Sequence, residues 1–88
     1  MRIVIIGAGD VGTFLAKSLS DEHDIIVIEK NKEKVERIKE SLDVLVIHGD
    51  GDNPAILKEA EIEKADIVLA VSGDDRTNIL SSHLAHSF

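Results

Sequence analysis

Gly7-Ala8-Gly9-Asp10-Val11-Gly12 is the segment of this 88-residue chain whose residue types and spacing best suit chemistry. The pattern G-x-G-x-x-G has meaning only where it follows a strand and opens a helix, and it does both here. The β-branched run Ile3–Ile6 precedes it, and Val11, Leu15 and Leu19 recur after it at helical spacing. In that setting Gly7 permits the tight turn, Gly9 lets a pyrophosphate approach the backbone, and Gly12 lets the helix pack close to the strand. The helix N-terminus adds unpaired N–H donors and a partial positive charge. A ligand-free turn would need fewer glycines than three at this spacing.

Glu29 closes the second apolar run, Ile25–Ile28. An acid in that place accepts hydrogen bonds from the hydroxyls of an adenosine ribose. Each charge-assisted bond of this kind contributes about 1.5–3 kcal/mol. The same carboxylate repels a 2′-phosphate, so the expected ligand is NAD or NADH rather than NADP, with Lys30 and Lys32 close enough to soften the preference. His48-Gly49-Asp50-Gly51-Asp52 follows the third apolar run. Its glycines suit a turn beside an adenine. Asp50 either accepts a hydrogen bond from the base or anchors the loop, with Gly51 beside it. Ser72 and Gly73 end the fourth run, opposite the glycine turn, where Ser72 would line the far side of a dinucleotide and Asn78 would lie one helical turn on.

Other chemistry is missing. No nucleophile–base pair stands out, and there is no room for the second domain that would give a dehydrogenase its substrate pocket. The chain has no cysteine, hence no disulfide framework and no thiolate metal site. His83 and His86 share a helical spacing but have no third ligand nearby, so a solvated helix face is expected rather than a metal site. The expectation is binding without catalysis.

The elements that must hold these residues read as one domain over residues 1–88. Apolar runs at 3–6, 25–28, 44–47 and 67–71 alternate with amphipathic stretches. Asn31 is a candidate N-cap, followed by the stripe Val35, Ile38, Leu42, with Glu33 and Arg37 as an (i, i+4) pair on the wet side. Asn53-Pro54 marks a helix start, since proline fits the first helical position, and Ile56, Leu57 and Ala60 would face the sheet. Ser72–Asp75 then caps a last helix through Ile79, Leu80 and Leu84. The order β-α-β-α-β-α-β-α demands a parallel sheet with right-handed crossovers. The expected fold class is α/β: a Rossmann-like parallel sheet of strand order 3-2-1-4, truncated after the fourth strand and its helix. A crevice opens where the order reverses between strands one and four.

Composition agrees. Apolar residues make up 43% and only Phe14 and Phe88 are aromatic, so the core rests on Ile, Val, Leu and Ala. The formal charge of −7 excludes the basic stripe that nucleic-acid binding needs, and the lysines of 30–39 are interleaved with Glu33 and Glu36. The first apolar run is far too short for a signal peptide or membrane span. A cytoplasmic protein is expected.

The chain also resembles the N-terminal nucleotide-binding domain of the regulatory proteins of potassium transport, the Trk/Ktr or RCK-type family. The likeness runs from Met1 to about Leu84. It is carried by Met1–Gly12, by Val27-Ile28-Glu29 with Asn31, and by His48-Gly49-Asp50. Leu57-Lys58-Glu59-Ala60, Ala65-Asp66 and Ser72-x-x-Asp75-x-x-Asn78 add to it. The resemblance implies a cytoplasmic subunit, peripheral to the inner face of the membrane through its partner. Such a subunit binds NAD(H), ATP or ADP and signals occupancy to a membrane potassium channel or transporter subunit. Because the adenosine half of the fold is the complete one, AMP is an expected ligand beside ADP and ATP. It implies phosphate contacts at Gly7, Gly9, Asp10, Val11 and Gly12, ribose contacts at Glu29, and adenine-side contacts around Asp50 and Gly51. The chain departs from the pattern at Arg76, where the family usually has an acid, and at Glu61, where it usually has a glycine. Similar domains continue for two more strands beyond the place of Phe88. Strand four is then a sheet edge, and a homodimer or larger homo-oligomer is expected to cover it. The alternative reading is the cofactor-binding fragment of an NAD-dependent dehydrogenase.

Overall fold

Four apolar runs become four strands in the computed structural model, which describes residues 1–71. They are β1 (Arg2–Ile6), β2 (Asp24–Glu29), β3 (Leu45–His48) and β4 (Ile67–Ala70). Between them lie α1 (Asp10–Leu19), α2 (Lys32–Ser41), α3 (Pro54–Glu59) and a single 3-10 turn at Ile62–Lys64. The expected last helix, with Ser72, Asn78, His83 and His86, lies outside the described residues.

The sheet is parallel throughout, with strand order β3-β2-β1-β4, as the alternation of runs requires. In register, Val4 pairs with Ile26 on one side and Val68 on the other, and Ile28 pairs with Ile47. Because side chains alternate across a strand, each run of consecutive β-branched residues feeds two cores. Ile3, Ile5, Ile25, Val27 and Val46 pack against Ala16 of α1 and Val35 and Ile38 of α2. Val4, Ile6, Ile26, Ile28 and Ile47 pack against Leu57 of α3, Ala60 at its C-cap and Ile62. The glycine turn therefore sits at the carboxyl end of an inner strand, with a covered sheet face on either side.

Local chemistry sets the helix starts. The Asn31 side chain accepts the Lys34 N–H at 3.1 Å, and the Asn53 side chain accepts the Ala55 N–H at 2.9 Å with Pro54 in the first turn. α1 has no side-chain cap, because its N-cap is Gly9.

Three details differ from the sequence-based expectation. The contact line of α1 runs through Gly12 and Ala16, with Leu15 and Leu19 half-buried, while Val11 is 59% exposed. The helix lies so close to the sheet at Gly12 that the smallest residues face it, and Val11, about 100° round the helix, turns outward. α2 ends at Ser41, so Leu42 packs from an extended cap rather than from the helix. Glu33 and Arg37 form no ion pair; among the described residues the ion pairs are Arg2–Glu61 and Lys64–Glu61, at 3.4 and 3.1 Å.

Glu61 is the one described non-glycine residue with positive φ, at 55°. It turns the chain from α3 into the 3-10 segment, a step that favours glycine because a Cβ is crowded there. Its carboxylate, between Lys64 and Arg2, is held below its ordinary pKa of 4.5 by the hydrogen bond and charge of Lys64 first and of Arg2 second.

Candidate functional site

Three chain turns meet at the carboxyl ends of β1, β2 and β3, and backbone hydrogen bonds tie them together. Gly7 N–H donates to Ile28 O at 2.8 Å, and Gly49 N–H donates to Glu29 O at 2.9 Å. His48 Nε2 lies 3.0 Å from Lys30 O and donates to it, joining the end of β3 to the turn after β2.

The three glycines of the first turn have different reasons for being glycine. Gly7 has φ of 110°, in the region that L side chains avoid. At Gly12 a Cβ would overlap the carbonyl oxygen of Gly7 and would lie 3.2 Å from Val71 Cγ2, so close helix–strand packing demands glycine there. Gly9 meets neither condition. Its φ of −74° and ψ of −166° are open to any residue, and a Cβ built on it has nothing within 4 Å. The fold itself has no need of a glycine at that position.

The first intrahelical bond of α1 runs from Thr13 N–H to Gly9 O at 2.9 Å, so the N–H groups of Asp10, Val11 and Gly12 belong to the open first turn. Thr13 Oγ1 also donates to Ala8 O at 3.2 Å, closing the turn from behind. Asp10 is exposed in the same first turn.

Glu29 is the buried charged residue of the described chain, at 7% exposure. Its Oε1 accepts the Ala8 N–H and its Oε2 accepts the Asn31 N–H, both at 2.7 Å. The carboxylate therefore locks the glycine turn to the β2–α2 turn, a role the sequence reading did not assign. Each oxygen has a second lone pair, so accepting a further donor remains within its capacity.

Asp50 Oδ1 accepts the Asp52 N–H at 3.2 Å and its carbonyl accepts the Asn53 N–H at 3.1 Å, so Asp50 anchors its own loop. The Asp52 carboxyl is raised above its ordinary 3.8, chiefly by its hydrogen bond with the Asp50 side chain. Gly51 is buried, and Gly49 leaves the space that Ile56 fills, since a Cβ there would come within 2.5 Å of Ile56 Cδ1. Gly7, Gly9, Asp10, Gly12, Glu29, Asp50 and Gly51 thus lie in or beside the turns at one end of the sheet, with Val11 on the outer side of α1. Ser72 is beyond the described residues.

A groove of about 570 Å3 leads away from this end, between α1 and α2. Ala8, Gly9 and Asp10 form its mouth; Phe14, 68% exposed, and Arg37 stand on its walls. Neither the groove nor the exposed Phe14 had a signal in the sequence beyond an aromatic residue at a helical position.

Among the described residues no cluster of His, Asp and Glu is placed to hold a metal ion, and no helix is long and apolar enough to cross a membrane.

Known proteins resemble the chain in sequence and in fold. The TrkA-N domain family model matches residues 3–88. The chain is 52% identical over 81 residues to a Trk system potassium uptake protein TrkA homolog of Archaeoglobus fulgidus, covering 92% of this chain and 18% of that protein. It is 43% identical over 86 residues to the homolog of Pyrococcus abyssi, covering 97% and 38%. With the TrkA protein of Halomonas elongata it shares 40% over 85 residues, covering 96% and 19%. The chain thus spans about a fifth to two-fifths of the relatives it matches. In structure it resembles the Kef C-terminal domain of Shewanella denitrificans in its AMP-bound form, with a TM-score of 0.81 at 16% identity, covering 99% of this chain and 52% of that one. It also resembles a serine dehydrogenase of Escherichia coli, with a TM-score of 0.62 at 20% identity, covering 77% and 36%. Likeness at these identities concerns the fold alone.

Proposed function

The chain belongs to the TrkA-N domain family, and from that premise we propose that it is a regulatory nucleotide-binding module of a potassium-uptake system. Its ligand is NAD(H) or an adenine nucleotide (ATP, ADP or AMP), with the phosphates over the Gly7–Gly12 turn. Gly9 carries this reading: it is a glycine that neither backbone conformation nor packing requires. A phosphate approaching the backbone supplies the missing reason, because a Cβ would stand in its path.

In this reading the N–H groups of Asp10, Val11 and Gly12 and the α1 dipole face the phosphates. Glu29 accepts the ribose hydroxyls with its remaining lone pairs. Gly51 backs the adenine side while Asp50 shapes the loop. No group here is assigned to move a proton or to attack a substrate, so the module binds without catalysing. The relatives' names, together with the AMP carried by the structural neighbour, support a nucleotide-responsive role in potassium transport. Signalling to a membrane potassium channel or transporter subunit follows if occupancy changes the relative stability of two states. The setting is cytoplasmic, at the inner face of the membrane, and a homodimer or larger homo-oligomer covers the β4 edge.

Calorimetric titration with NAD, NADH, ATP, ADP and AMP tests the reading. Binding of at least one of them, weakened in Glu29→Ala, supports it; no binding of any overturns it.

A further inference from the structure

The groove between α1 and α2 begins at Ala8, Gly9 and Asp10 of the glycine turn and is lined by cations that the rest of the described chain leaves unpaired. Glu29 connects the two places. Its Oε1 holds the N–H of Ala8, which lines the groove, and its Oε2 holds the N–H of Asn31, whose side chain in turn accepts the Lys34 N–H. Lys34 is half-buried at the groove, and Arg37 stands one turn further along the same helix face. Neither forms an ion pair among the described residues. Thr13 and Ser41 add hydroxyls, and Asp10 is the opposing charge at the mouth.

A cation beside the ribose subsite is the arrangement that accommodates a 2′-phosphate, whereas an acid alone selects against one. This chain has both. The acid is turned inward, 7% exposed, with each oxygen already facing a backbone N–H. The cations are turned to the groove. We infer that the groove is a second phosphate subsite, so that the module accepts an adenine dinucleotide phosphorylated at the 2′-position of its adenosine ribose as well as the unphosphorylated one. The inference rests on the nucleotide reading above and amends the preference for NAD(H) that Glu29 alone suggests.

The test is titration of the wild-type chain and a Lys34→Gln/Arg37→Gln variant with NADH and NADPH at two salt concentrations. Arg37 is exposed and Lys34 half-buried on α2, and circular dichroism verifies that the variant folds. In the wild type NADPH should bind at least as tightly as NADH. In the variant NADPH should weaken by at least about tenfold, or roughly 1.4 kcal/mol, while NADH stays within about twofold. The NADPH advantage should shrink with salt, as expected of exposed charges. Wild-type binding of NADH but not NADPH, or equal weakening of both in the variant, overturns the inference and leaves the nucleotide reading standing. Binding of neither overturns the inference, and the nucleotide reading falls with it only if ATP, ADP and AMP also fail to bind.

Discussion

Glu29 Oε1 accepts the backbone N–H of Ala8 at 2.7 Å, joining the end of β2 to the glycine turn across 21 positions of sequence. The same carboxylate holds Asn31 N–H, so one side chain fixes two of the three turns at the site. A ligand that engages Glu29 therefore meets a preorganised pair of loops. Glu29→Ala leaves the buried Ala8 donor and the partly buried Asn31 donor without their acceptor, at about 1–3 kcal/mol each. Urea unfolding should show a loss of about 2–6 kcal/mol in stability alongside weaker nucleotide binding. A variant as stable as the wild type would mean that Glu29 does not hold the turns.

Gly12→Ala should destabilise for a different reason. The new Cβ overlaps the Gly7 carbonyl oxygen, a backbone atom that cannot swing away as a flexible side chain would. The expected cost is about 1–3 kcal/mol or more, read as a lower unfolding midpoint. An unchanged midpoint would contradict the close approach of α1 to β1.

Glu61 offers a stabilising change. Replacing it by glycine relieves the left-handed backbone, and the exposed ion pairs that are lost contribute little. Thermal melting should show Glu61→Gly raised by about 2–4 °C near neutral pH. The sign of the pH effect follows from the depressed carboxyl. Its stabilising contribution is present above the ordinary value of 4.5 and is lost as pH falls through the lower folded-state value. The glycine variant's advantage should therefore widen in acid. A variant that melts lower at neutral pH, or an advantage that narrows in acid, would refute this account.

Among the described residues β4 pairs with β1 on one side alone, with Ile67 39% exposed and Val68, Leu69 and Ala70 half-buried. Open apolar edges are templates for pairing. Light scattering at micromolar concentration should give the mass of a dimer or larger assembly, and a monomer mass would contradict it.

Much of this arrangement is legible in the sequence because it follows from local rules. Runs of β-branched residues between amphipathic stretches dictate the parallel sheet, and Asn31 and Asn53-Pro54 set the helix starts through contacts two or three residues long. The glycine turn is legible for the same reason. Glu29's hold on Ala8 is not, because it depends on two strand ends meeting in space; likewise His48 reaching Lys30 has no local signature. The outward Val11 and the groove beside Phe14 arise from how near α1 lies to the sheet, which no periodicity encodes. The Glu33–Arg37 spacing permits an ion pair but does not compel one, since holding two long exposed side chains costs entropy comparable to the gain.

Gly9→Ala separates fold from function most directly. The backbone at Gly9 suits alanine and the added Cβ meets nothing within 4 Å, so stability should stay within about 1 kcal/mol of wild type despite a poorer N-cap. Titration of the variant with NADH and ADP should nonetheless show binding weakened by at least about tenfold, because the methyl group occupies the path of the phosphates. A stable Gly9→Ala chain that binds either nucleotide as tightly as the wild type would contradict phosphate binding at this turn.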